Sequence, residues 1–81
     1  MSNDSSFPNG NVIVLQDAVQ LGVMVRDKRK QDGLTQQDLA AIANVGVRFV
    51  SELENGKKTV QFDSVMLVLQ ALGLQLSVST K

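Results

Sequence analysis

Residues 33–57 read GLTQQDLAAIANVGVRFVSELENGK, and their order of polar, apolar and turn-forming residues decides the fold. Thr35 opens a helix, with Asp38 three residues on, so the hydroxyl and the carboxylate can each satisfy a backbone N–H that the first turn leaves open. Leu39, Ala40, Ile42 and Ala43 give this short helix an apolar side. Asn44-Val45-Gly46 interrupts it. From Val47 to Asn55 the helical pattern resumes, with Val50 and Leu53 three residues apart for the core and Gly56 as a left-handed stop. Two short helices joined in this way form a helix-turn-helix.

The flanking sequence supplies the rest of a domain. Upstream, Asp17 and Gln20 have capping-box spacing, and Leu21, Val25 and Lys28/Arg29 follow on one stripe, which predicts a first helix over residues 18–31. Arg26, Lys28, Arg29 and Lys30 cluster at its end, where cations complement the helix dipole and are mostly solvated; Gly33 stops the helix. Downstream, Lys57 to Phe62 is a linker. Asp63 or Ser64 is placed to cap a fourth helix, packed by Val65, Leu67, Val68, Leu69 and Leu72 and ended by Gly73.

Leu74 to Thr80 alternates apolar with polar residues, the pattern of a half-buried strand, so Leu74, Leu76 and Val78 are candidate dimerisation residues. A lone strand is unstable. Its partner is either Val12-Ile13-Val14-Leu15, itself an edge strand or an extended arm, or the same segment of a second copy. Met1 to Asn11 contains the single Pro and no periodic apolar face and reads as a flexible leader, leaving 12–81 as one domain.

Composition narrows the function. With no Cys and no His, neither a disulfide nor the usual zinc ligand sets can form, and thiol and imidazole chemistry are absent. Tyr is absent too, so an enzyme is not expected, and no cofactor or metal is implied. A chain of 81 residues buries a small core, and association with a second copy is the remaining route to stability. Eight Lys and Arg balance eight Asp and Glu, so any binding to nucleic acid must be local rather than by bulk charge. No stretch is long and apolar enough to span a bilayer and no secretion signal is present, which points to the cytoplasm.

Gly33-Leu34-Thr35-Gln36, Leu39-Ala40, Ala43 and Leu53-Glu54-Asn55-Gly56-Lys57, together with Leu21-Gly22, Val25-Arg26 and Arg29-Lys30, resemble the Cro/repressor-type (XRE-like) helix-turn-helix regulators over about residues 17–72. This resemblance implies a mainly α, compact four- to five-helix, lambda-repressor-like domain, here with a short C-terminal β-strand. Within the family the length and tail are similar to HipB-type antitoxins. That implies a homodimer with paired terminal strands that represses its own operon and holds a HipA-like kinase toxin. Three positions depart from the family pattern: Asn44 replaces a Gly in the turn, Gly46 replaces a capping Ser or Thr, and Phe49 replaces a small polar residue.

By the same resemblance the third helix enters the major groove of double-stranded DNA carrying an inverted-repeat operator. Val47, Arg48, Ser51 and Glu52 then face the bases. Arg48 suits the O6 and N7 of guanine, Val47 a thymine methyl, and Glu52 either a cytosine amine or Arg48 itself. Thr35, Gln36, Gln37, Ser51, Asn55, Lys57 and Lys58 are expected to hold the backbone. Phe49 is expected to pack rather than stack on a base, and Glu52 and Glu54, with no nucleophile beside them, to be structural rather than catalytic. The competing reading is a protein-interaction module on the same scaffold, with Phe49 and Val47 as an apolar docking patch.

Overall fold

Helix limits follow local chemistry closely: α1 spans Ala18–Gln31, α2 Gln36–Ala43, α3 Val47–Glu54 and α4 Phe62–Ala71, in a computed structural model that describes residues 12–80. The leader expected over residues 1–11 lies outside the described residues. Asp17 caps α1 by accepting from the Gln20 N–H at 2.8 Å. The Gln20 side chain reaches one residue further back than a capping box requires, accepting from the Gln16 N–H. The α2 box is complete: Thr35 Oγ1 accepts from the Asp38 N–H at 3.0 Å and Asp38 Oδ2 from the Thr35 N–H at 2.9 Å.

All four helices end alike. The N–H groups of Leu34, Val45, Lys57 and Leu74 donate to the carbonyls of Arg29, Ala40, Glu52 and Leu69 at 2.8–3.1 Å, each closing a turn that passes through one left-handed residue. Three of these are Gly; the fourth is Asn44, with φ 60°. Asn is the residue after Gly that enters this region at least cost, which explains how it serves in the turn.

The start of α4 differs from expectation. Neither Asp63 nor Ser64 caps it; Gln61 occupies the cap position without a side-chain bond, and the Val65 N–H to Gln61 carbonyl bond closes the first turn. Asp63 sits inside that turn, where a carboxylate complements the helix dipole.

One core holds the helices together. Val25, Leu39, Val50, Leu53 and Val68 are its largest fully buried side chains, contributed by all four elements. Helix α1 packs on α3, and α2 packs on both α3 and α4. Two residues expected in this core are exposed, Ile42 and Leu67. At about 100° per residue, Leu67 lies roughly 150° around α4 from the buried face of Val65, Val68, Leu69 and Leu72, and Ile42 sits on the flank of the Leu39–Ala43 face. Gly22 sets the approach of α1 to α3: a Cβ there would overlap the Leu53 carbonyl oxygen and come within 2.7 Å of that of Glu54.

The C-terminal strand is the main correction. Among the described residues no strand forms; residues 12–16 and 74–80 run without regular structure. A strand exists through its hydrogen-bonded ladder, and within one chain the alternation of Leu74, Leu76 and Val78 meets no partner edge. Exposure rises along the segment, from half-buried Leu74 to 40% for Leu76 and 94% for Val78.

Candidate nucleic-acid interface

Helix α3 divides its residues sharply. Val50, Leu53 and Glu54 are buried, whereas Val47 and Arg48, in its first turn, are exposed. Gly46 precedes them as N-cap with ordinary extended backbone, φ −75° and ψ 148°, and makes no side-chain cap bond. The side chain of Arg48 is 90% exposed and reaches Glu52 one turn on, Nε to Oε2 at 3.4 Å. Glu52 Oε1 also faces Lys57 Nζ at 3.3 Å. One half-buried carboxylate therefore lies between two of the cations expected to meet DNA. Of the two roles open to Glu52, the free protein adopts the restraint of Arg48.

The expected backbone-contacting residues gather at two places. Gln36 and Gln37 open α2, with Thr35 as its cap; Asn55 caps the end of α3, and Lys57 and Lys58 follow it. Thr35, Gln37, Asn55, Lys57 and Lys58 are all exposed. Gln36 is half-buried, and its Nε2 donates to Glu54 Oε1 at 3.1 Å. That bond joins the start of α2 to the end of α3, so the two groups of residues belong to one surface. Ser51 is half-buried. Phe49 is half-buried and packs against the core, as expected, which leaves the docking-patch reading with Val47 alone of its two residues.

Beneath this surface lies a pair that the sequence reading did not bring together. Arg29 donates Nε to Glu54 Oε2 at 2.6 Å, Nη2 to Glu54 Oε1 at 2.9 Å and Nη1 to the Leu34 carbonyl at 2.8 Å. Both side chains are almost wholly buried. The fork-to-carboxylate geometry joins α1 to α3, and its third bond holds the loop leading to α2. The hydrogen bond to Glu54 holds the Arg29 guanidinium above its ordinary range, against the opposing effect of burial. Burial pushes the Glu54 carboxyl upward, but the bonds from Arg29 and Gln36 outweigh it and hold the group below the usual carboxylate range. The signal was present in the spacing. Gly22, Val25 and Arg29 recur at helical intervals on one face, and Glu54 follows Val50 at i+4, so both charges fall on buried stripes.

What the surface offers is an exposed first turn with one guanidinium, flanked by amides, hydroxyls and lysines, on helices clamped from below.

Comparison with known proteins agrees with this geometry. A helix-turn-helix family model matches residues 25–78. An uncharacterized HTH-type transcriptional regulator, y4mF of Sinorhizobium fredii (strain NBRC 101917 / NGR234), is 41% identical over 64 residues, covering 79% of this chain and 84% of the relative. Among solved structures, a HipB–O4 20mer complex and a HipA–HipB–O2–O3 complex each superpose with a TM-score of 0.78 at 23% identity, over 85% of this chain and 97% of theirs. The chain belongs to the helix-turn-helix transcriptional regulators of the XRE type. Its relatives form a class of regulators rather than enzymes, and no helix among the described residues is long and apolar enough to cross a membrane.

Proposed function

We propose that the protein is a dimeric, sequence-specific repressor of the cytoplasm that reads an inverted-repeat operator, one half-site per subunit, with Arg48 as the principal base-reading residue. The observation that carries this is the exposed first turn of α3, which presents Arg48 and Val47 to the outside while Val50, Leu53 and Glu54 anchor the helix in the core. Arg48 then exchanges Glu52 for a guanine edge, and Val47 lies against a thymine methyl. Thr35, Gln36, Gln37, Ser51, Asn55, Lys57 and Lys58 fix the register on phosphate. Dimerisation runs through Leu74, Leu76 and Val78, of which Leu74 packs against the core of its own chain while Leu76 and Val78 stand exposed. The likeness in fold to HipB, which has been solved in assembly with HipA, supports an antitoxin role, in which the dimer holds a HipA-like kinase toxin and represses the operon encoding both.

A salt titration on an arbitrary duplex separates this reading from a pure docking module. A dimer with six or more phosphate contacts is expected to lose about a thousandfold in affinity between roughly 50 and 200 mM salt. Absence of any duplex binding at the low-salt end would overturn the reading.

A further inference from the structure

The cations near the end of α1 do not share one environment. Lys28 is paired with Asp32 at 2.6 Å and Arg29 is buried against Glu54, whereas Arg26 is exposed. We propose that Arg26 is a DNA-backbone contact, which carries the interface past the helix-turn-helix and onto α1. The proposal rests on the DNA-binding reading above and adds to it a phosphate contact from a third helix.

Two observations carry it. The first is position. At about 100° per residue, Val19, Gly22, Arg26 and Arg29 lie within about 80° of one another around α1, and the neighbours of the other three place Arg26 between them. A Cβ on Gly56 would come within 3.1 Å of Val19, and one on Gly22 within 2.7 Å of the Glu54 carbonyl oxygen. Arg29 holds the Glu54 carboxylate. Arg26 therefore rises from the seam between α1 and the end of α3. A helical side chain covers the turn N-terminal to its own Cα, so that of Arg26 leans back toward the level of Gly22, where Glu54 to Gly56 pass. The Glu54 carboxyl registers the approach: burial raises it, the bonds from Arg29 and Gln36 lower it, and the charge of Arg26 lowers it further. Gln36 bonds to that same carboxylate, and Asn55, Lys57 and Lys58 follow it in sequence. Arg26 thus stands beside both groups of residues assigned above to phosphate.

The second observation is charge. Asn55 closes α3 at this corner, where the helix presents the negative end of its dipole, worth roughly half a unit charge. Glu54 is matched by Arg29, and Glu52 lies 3.3 Å from Lys57. Lys58 is left to outweigh the dipole, with a surplus of only about half a charge against the full charge of each phosphate. Arg26 raises that surplus to about one and a half. Helix α1 then braces α3 with Arg29 and reaches phosphate with Arg26, just under one turn earlier.

Salt titrations on one arbitrary duplex test this with wild type, Arg26→Gln, Arg26→Lys and Lys28→Gln, each checked for folding by thermal melting. Lys28 is the control, a cation of the same helix roughly 160° around it from Arg26. Arg26→Gln is expected to lower the slope of log affinity against log salt by about 0.9 for each bound subunit, so that between roughly 50 and 200 mM salt its affinity falls about three- to fourfold less per subunit than that of wild type. Arg26→Lys, which keeps the charge, and Lys28→Gln are expected to keep the wild-type slope. An Arg26→Gln slope equal to that of wild type or of Lys28→Gln overturns the proposal and leaves the DNA-binding reading intact. Absence of duplex binding by the wild type overturns both.

Discussion

Charged residues of one type play opposite parts in this small domain, and burial decides which. Glu54 is sequestered with Arg29, and removing one member of such a pair leaves the other buried without its counter-charge. Glu54→Gln is therefore expected to cost about 3–5 kcal/mol in a denaturant titration, a large share of what a small domain has. Replacing both members, Arg29→Met with Glu54→Leu, is expected to recover most of that loss, since well-packed apolar residues often match a buried ion pair. Glu52, by contrast, is partly solvated, and Glu52→Gln is expected to change stability by less than about 0.5 kcal/mol. Its effect belongs to binding. Freed from Glu52, Arg48 and Lys57 are expected to raise affinity for arbitrary duplex severalfold while discrimination between sequences falls, measured by paired titrations on selected and unrelated DNA.

At the scale of elements, the sequence was most legible where local chemistry governs. The α2 capping box, the turn at Asn44 and the uncapped Gly46 were all visible in residue types at fixed offsets, and the structure reproduces them. What escaped depends on neighbours or on angles that a run of apolar letters conceals. Ile42 and Leu67 belong to apolar runs but lie off the buried stripes. Arg29 looked like one more cation at a helix end, although its interval from Gly22 and Val25 put it on the buried face. The strand expected over 74–80 could not be judged locally at all, because a ladder requires a partner. Two substitutions test the helix chemistry. Gly46→Ser meets no obstruction and adds a side-chain cap to α3, so it is expected to raise stability by a few tenths of a kcal/mol, about 0.2–0.5, read as a slightly higher denaturation midpoint. Gly22→Ala forces α1 away from the α3 carbonyls and is expected to cost about 1–3 kcal/mol, read as a lower denaturation midpoint.

The whole molecule couples these parts to pH. Glu54 is held below its ordinary range by Arg29 and Gln36 against the cost of burial, and Asp38 by its bonds to Thr35. Both groups take up protons more readily when unfolded than when folded. Their contribution is thus complete above the ordinary carboxylate range and is lost as pH falls through that range and below it, toward the folded values. Thermal melting is expected to be flat near neutrality and to decline on acidification, and Glu54→Gln is expected to flatten that decline. Net neutrality has a second consequence for the intact protein. A chain of zero net charge gains little sequence-independent affinity from bulk charge, and on the reading proposed above the discrimination between DNA sequences rests on a few side chains of α3, Arg48 first among them.

Selection of tight binders from a random duplex pool, run in parallel with Arg48→Ala at moderate salt, tests that claim most directly. The expected result is an inverted repeat whose half-sites lie about one helical turn apart, enriched by the wild type and lost by a variant that keeps its fold. Enrichment of the same sequence by Arg48→Ala, or of none by the wild type, would contradict it.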